Sequence, residues 1–249
     1  MPIVCLDCGN TRMKWGVWLR GWREQGSLNY SDTQTLAELG SRWKTPSRIL
    51  LAQVATESRA LRIEECIPHW QNRIEKIHAE AAACGVVNGY NTPEKLGADR
   101  WCALIGAWGR TRKACVVVMC GTATTIDTLR EDGVFLGGMI LPGLGLMRRA
   151  LARETAKLSF GKGDYDLLPK ATNDAIVTGS IEAHLGAICR AFMRLKEKSP
   201  HARLLISGGN SRFLSKFVDF PHQQIDNLPL EGLRRIAFEK KMAFTVENH

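Results

Sequence analysis

The sequence predicts an α/β protein made of two similar domains facing each other across a cleft. Three observations carry that expectation. Short apolar runs such as IVCL, RILLAQVA, ACVVVM and RLLIS alternate with segments whose apolar residues recur every three or four positions, the patterns of buried strands and amphipathic helices. A corner of apolar strand, Cys, Gly, polar residue and Thr occurs twice, in LDCGNTRMKW from Leu6 and in VMCGTATTID from Val118. The two corners stand about half a chain apart, and 249 residues suit one large domain or two ordinary ones. Chance also produces two such corners, so the repeat by itself leaves both readings open. The expected division is residues 1–113 and 114–249.

Taken in order, Pro2 to Leu6 is short, apolar and bounded by Gly9, and reads as a strand. Met13, Trp15, Val17 and Leu19 alternate with Lys14, Gly16 and Trp18 in a second strand, and Arg20-Gly21 marks a hairpin corner. A helix is expected over Thr33–Trp43 and a buried strand over Ser47–Ala55. Ser58–His69 reads as a helix capped by Ser58, with Pro68 near its end. Lys76–Ala82 fits strand or helix equally. Tyr90-Asn91-Thr92-Pro93 is a turn-rich linker. Trp101, Leu104, Ile105 and Trp108 then give an amphipathic helix over Ala98–Trp108, with Gly-Ala-Asp-Arg at its start. Ala114–Met119 is a strand of the kind covered on both faces. After an Asp132-Gly133 turn comes a strand over Val134–Leu136, punctuated by Gly137-Gly138 and Pro142-Gly143. Helices are expected from Leu144 to Leu151 and from Asn173 to Lys196. RLLISGGN is a strand and glycine turn, Phe213–Val218 a short helix, and Leu230–Phe244 a basic amphipathic helix.

The chain carries 34 Lys and Arg against 25 Asp and Glu, a formal net charge of +9. Such a balance suits nucleic acid or an anionic small substrate. The basic residues are scattered and no recognition-helix motif is present, so no nucleic-acid partner is expected. The basic stretch 233–241 reads as a solvated face or a dimer contact. Met1 leads directly into an apolar strand-like run, without the charged and apolar segments of a signal peptide, and no apolar run is long enough to span a membrane. A cytoplasmic protein without a membrane partner is expected. Eight cysteines sit mostly in apolar surroundings and are expected as reduced, buried thiols. Cys5 and Cys8 have a ligand-like spacing, but a structural zinc site needs a second pair, and none follows.

A strand ending in Asp-x-Gly-Asn-Thr has a physical use. Gly9 lets the backbone turn tightly and approach an anion. Asn10 and Thr11 supply donors to phosphate oxygens, and Lys14 adds positive charge. Asp7 at the strand tip suits Mg²⁺, directly or through water. GTATTIDTL repeats the arrangement, with Gly121 and Thr122 in the turn, Thr124 and Thr125 adding hydroxyls, and Asp127 on the next strand where it supports the metal or its waters. Each corner in isolation is equally an ordinary hairpin. Neither G-x4-G-K-[ST] nor G-x-G-x-x-G is present. Ser207-Gly208-Gly209-Asn210 is a third glycine corner, placed to lie against an adenosine. At Gly97-Ala98-Asp99-Arg100 a helix N-terminus favours an anion, while Asp99 offers a proton acceptor and Arg100 a bidentate anion ligand.

The ordered set DCGNTRMKW, GADRW, CGTATTID and GGMILPGL, extended by TNDAIVTG and SGGN, resembles the type III pantothenate kinases. The resemblance implies the acetate and sugar kinase/Hsp70/actin superfamily fold, with two ribonuclease H-like domains. It implies ATP-dependent phosphorylation of the 4′-hydroxyl of pantothenate, the first step of coenzyme A biosynthesis, with ATP and Mg²⁺. By the same resemblance Asp7, Cys8, Gly9, Asn10, Thr11, Arg12, Met13, Lys14 and Thr122 match ATP-binding positions. Tyr90, Gly97, Ala98, Asp99, Arg100 and Thr172 match pantothenate contacts, and Asp99 matches the catalytic proton acceptor. A homodimer is implied, with the pantothenate site completed near the subunit interface. Many members bind K⁺ or NH₄⁺ through an aspartate two residues before the second Gly-Thr; here Met119 holds that place, which leaves the monovalent cation open. The competing readings are another small-molecule kinase or phosphohydrolase of the same fold, and a non-enzymatic transcription accessory factor.

Overall fold

The residues Ile3 to Cys8, apolar but for Asp7, are all buried, as in a central strand covered on both faces. In the computed structural model, which describes residues 1–43, 46–54, 63, 65–154 and 161–246, they form β1. There follow β2 (Arg12–Trp18), β3 (Trp22–Asn29), α1 (Thr33–Arg42), β4 (Arg48–Gln53), β5 (Ile74–Ile77), β6 (Ala82–Ala83), β7 (Val86–Asn88) and α2 (Ala98–Thr111). Next come β8 (Cys115–Cys120), β9 (Ala123–Leu129), β10 (Val134–Pro142), α3 (Leu144–Glu154), α4 (Thr172–Lys198), β11 (Arg203–Ser207), α5 (Ser211–Leu214), β12 (Gln223–Gln224) and α6 (Leu228–Val246).

Two compact units result. The first holds the described residues up to Arg112, Gly133–Phe135 and the segment from Asn227 on; the second holds Lys113–Asp132 and the described residues from Leu136 to Asp226. In the first the strand order is β3-β2-β1-β4-β5. β1 and β2 pair antiparallel, while β4 and β5 join parallel on the other side. In the second the order is β10-β9-β8-β11-β12, with β8 antiparallel to β9 and parallel to β11, and β12 parallel beyond it. The same five-strand pattern thus occurs twice, and the two glycine corners join the first two strands of each copy.

Most expected elements appear, with differences that have local causes. The Arg20-Gly21 corner turns the chain at positive φ and leads into β3, whose polar residues hid a strand. The turn-rich linker Tyr90–Pro93 joins β7 to α2 inside the first unit, and Pro93–Lys95 form a 3₁₀ turn. The helix expected over Ser58–His69 falls largely outside the described residues, and Pro68–Arg73 form a 3₁₀ helix. β10 runs through the Gly137-Gly138 pair to Pro142. The short helix expected over Phe213–Val218 begins earlier, as α5, and ends in a 3₁₀ turn at Ser215–Phe217. The final helix, α6, falls by sequence position in the range 114–249 but packs on β1, β4 and α2 of the first unit.

Within the basic stretch 233–241, expected as a solvated face or a dimer contact, residues 233–237 are buried or half-buried while 238 and 239 are exposed. Arg234 lies 4.5 Å over the Trp18 ring and pairs with Glu231 at 3.1 Å, and Trp22 Nε1 donates to Glu231 Oε1 at 2.8 Å. The two faces of β1 have separate fates, because side chains alternate along a strand. Val4, Leu6 and Cys8 join a core with Met13, Trp15, Leu39, Trp43, Ile49 and Leu51. Cys5 faces the other way, toward the charges of Arg234 and Glu231 on α6. Cys5 and Cys8 therefore point apart, and burial raises both thiols well above their ordinary range. Among the described residues no helix is long and apolar enough to cross a membrane.

α2 and α6 meet through glycine. A Cβ on Gly232 would fall into the Cys102 carbonyl, and one on Gly106 onto the Leu228 carbonyl oxygen. Gly232→Ala is expected to lower the melting temperature by about 3–10 °C, the cost of overpacking a close backbone contact. Calorimetry that finds an unchanged transition would rule out the tight crossing.

Candidate active site

The first glycine corner is the turn between β1 and β2. Cys8 pairs with Met13 and Asp7 with Lys14 across it. The Cys8 and Met13 side chains are committed to the core, so only their backbone is available to a ligand. Asn10, Thr11 and Arg12 are exposed. Arg12 Nε donates to Asn29 Oδ1 at 3.1 Å, and the Tyr30 hydroxyl donates to the Gly9 carbonyl at 2.7 Å. These bonds brace the turn from β3 and the residue that follows it.

Asp7 lies on the same face of β1 as Cys5, only 7% exposed. Its Oδ1 is buried without a hydrogen-bond partner among the described residues. Burial raises its pKa from the ordinary 3.8 to about 7; Lys14 pulls it down, and the nearby Asp99 carboxylate pushes it up. Asp99 stands in the first turn of α2, which has no side-chain cap at Gly97. Its own pKa is raised by burial, against the pull of the Arg100 N–H and guanidinium; the N–H of Arg100 donates to Asp99 Oδ1 at 2.8 Å. Two desolvated carboxylates, one of them held by the first N–H groups of α2, form a place prepared for positive charge or a proton.

Arg100 is buried rather than a surface cation. Its Nη1 donates to the Tyr90 hydroxyl at 2.7 Å. The guanidinium lies 5.5 Å from the Tyr90 ring centroid and 5.9 Å from that of Phe135, and the two rings stack at 5.4 Å. Tyr90, Gly97, Ala98, Asp99, Arg100 and Asp7 are thus all in the first unit. Phe135 joins them unannounced: a single aromatic after an Asp-Gly turn carries no sequence signal.

The second unit holds Thr122, Asp127 and Thr172. Gly121 N donates to the Ala123 carbonyl at 3.0 Å, closing a tight turn. The Thr122 carbonyl accepts from Gly143 N at 2.9 Å, and the Cys120 carbonyl from Asn210 N at 3.0 Å. A Cβ on Gly208, whose φ is +100°, would stand 2.5 Å from the Cys120 oxygen. The Gly-Thr turn, the start of α3 and the Ser-Gly-Gly-Asn corner therefore converge. Thr122 is exposed. Thr124 and Thr125 are buried, and their hydroxyls do not line the turn as expected. Asp127 is 1% exposed, with Oδ1 against Gly138 of β10. Thr172 opens α4 and lines an apolar cavity of about 600 Å³.

The raised Asp7 pKa has a signed consequence. In the unfolded chain the carboxyl ionises near 3.8, in the folded chain near 7. The folded state is thus penalised progressively as pH rises between those values, and fully above them. With divalent cations chelated, Asp7→Asn is expected to raise the melting temperature at pH 8 by roughly 4 °C or more, with the gain vanishing toward pH 4. An equal gain at both pH values would contradict the assignment.

Comparison with known proteins fits this geometry. A family model described as type III pantothenate kinase matches residues 3–194. A type III pantothenate kinase from Dechloromonas aromatica is 48% identical over 238 residues, covering 95% of this chain and 99% of the relative. Among solved structures, a Campylobacter jejuni protein assigned to the Baf family of transcriptional activators superposes with a TM-score of 0.63 at 22% identity, covering 96% of this chain and 99% of that one. An archaeal actin homolog superposes with a TM-score of 0.51 at 12% identity, covering 96% and 99%. These two likenesses bear on the fold, which is the two-domain actin-like ATPase fold. The family match and the full-length relative go further: this chain belongs to the type III pantothenate kinase family.

Proposed function

We propose that this protein transfers the γ-phosphoryl group of ATP to the 4′-hydroxyl of pantothenate in the cytoplasm, the first step of coenzyme A biosynthesis. The observation that carries the chemistry is the start of α2, where a desolvated carboxylate adjoins a buried guanidinium. Phosphoryl transfer asks mainly for positioning and charge stabilisation. Backbone N–H groups and polar side chains over Asp7–Lys14, and Thr122 in the second unit, bind phosphate oxygens. Asp99 accepts the proton of the attacking hydroxyl; its raised pKa makes it a better acceptor than an ordinary aspartate. Arg100, held by Tyr90 and Phe135, binds the pantothenate carboxylate.

Mg²⁺ fits the first unit, because Asp7 Oδ1 is a buried carboxyl oxygen without a hydrogen-bond partner among the described residues; Asp7 would hold the ion directly or through water. When bound, Mg²⁺ neutralises charge on the phosphate oxygens. Met119 offers a thioether where the family's K⁺ ligand is expected, a poor donor to K⁺ or NH₄⁺, so this reading includes no potassium requirement. A homodimer is part of the same reading. The apolar groove between α3 and α4, lined by Pro142, Met147, Leu151, Ala175 and Ile176, supports it as the surface a second copy covers.

Incubation with ATP and Mg²⁺ in potassium-free buffer is expected to release ADP with pantothenate and not with hexoses. Activity on a sugar alone would replace this reading; activation by potassium would overturn only the role given to Met119. Phe135→Leu is expected to raise KM for pantothenate roughly two- to tenfold, the worth of an aromatic contact, while KM for ATP holds. An equal change in both constants would deny Phe135 its place behind Arg100.

A further inference from the structure

We infer that His184, which the proposed chemistry does not use, is a positioning residue for the Gly121-Thr122 turn, acting through the hydroxyl of Thr124. The inference rests on the reading of that turn as a nucleotide-phosphate loop.

His184 is fully buried on α4, at 0% exposure. Both ring nitrogens are engaged: Nδ1 lies 2.7 Å from the Ser180 carbonyl oxygen, one helical turn earlier, and Nε2 lies 2.9 Å from Thr124 Oγ1 on β9. A carbonyl oxygen only accepts, so Nδ1 carries the hydrogen. In the neutral ring Nε2 is then an acceptor, and the Thr124 hydroxyl donates to it. The direction of both bonds follows, and with it the tautomer.

Thr124 occupies a sensitive position. It pairs with Cys120 across β8 and β9, the pair that closes the turn Gly121-Thr122-Ala123. The carbonyls of Cys120 and Thr122 are fixed by Asn210 and Gly143. These backbone bonds hold the outer side of the turn. The Thr124 hydroxyl adds a side-chain tie from its base to a 27-residue helix, whose Val177, Ile181 and Ile188 are packed in the core with Val116, Val118 and Ile126. Loss of the hydroxyl leaves a ring nitrogen unpaired where water does not reach, a costly state for a buried polar atom. The turn can relieve that cost only by shifting, so the loss is expected in phosphate binding.

Calorimetric titration of the full chain with Mg·ADP tests the tie without an acceptor substrate. Thr124→Val is expected to weaken ADP binding roughly five- to twentyfold, the scale of one buried hydrogen bond. Thr124→Ser keeps the hydroxyl and is expected to stay within about twofold of the wild type. Thr124→Val combined with His184→Phe is expected to be no weaker than the worse single variant, since both remove one interaction; KM for pantothenate should not move in Thr124→Val. ADP binding that is unaffected in Thr124→Val, equally impaired in Thr124→Ser, or impaired multiplicatively in the double variant overturns the role of His184. A wild-type protein that fails to bind ADP overturns the loop reading itself, and this role with it; a wild type that binds ADP without turning over pantothenate leaves the role of His184 standing.

Discussion

The close crossing of α2 and α6 is the constraint on which the first unit depends. Gly106 and Gly232 let each helix approach the backbone of the other, and both helices then pack on the central strands. α2 carries Asp99 and Arg100 at its N-terminus, while β1 carries Asp7. The position of one carboxylate relative to the other is set by how deeply α2 seats, and a helix supplied from the far end of the chain sets that depth. Trp22, Glu231, Arg234 and Trp18 lock the arrival of α6, so residues distant in sequence determine the site.

The same seating explains the electrostatics. Asp7 and Asp99 are both removed from water, and the charge of Asp99 adds to the penalty on Asp7, which is unfavourable for the fold taken alone. Such arrangements concentrate where a proton or a cation must be handled. Arg100 offsets part of the penalty for Asp99 but is itself held by Tyr90 and Phe135, so its guanidinium has a fixed direction. The site therefore holds a carboxylate able to take up a proton and a cation aimed by aromatic rings.

Much of this was legible in the sequence, for physical reasons. Central strands such as Ile3–Cys8 and Cys115–Cys120 are buried on both faces and read as apolar runs. The α2 helix reads from the spacing of Trp101, Leu104, Ile105 and Trp108. The two Gly-Thr corners mark equivalent hairpins of a repeated strand order. What could not be read depends on tertiary placement. β3 is an edge strand with polar residues, and periodicity does not reveal it. The allegiance of α6 depends on which surface it covers, not on its neighbours in sequence. Thr124, Thr125 and Asp127 look like a continuation of the glycine corner, yet both faces of β9 are covered there and all three are buried. Phe135 and His184 are single residues whose meaning comes from partners 45 and 60 positions away in sequence, Tyr90 and Thr124.

The account stands most directly on Asp99 as the proton acceptor. Its decisive measurement is single-turnover transfer from γ-labelled ATP to pantothenate by Asp99→Asn, with ATP affinity determined on the same protein. The expected result is loss of transfer by about a thousandfold or more, with ATP affinity near that of the wild type. Transfer at the wild-type rate by Asp99→Asn would contradict the account.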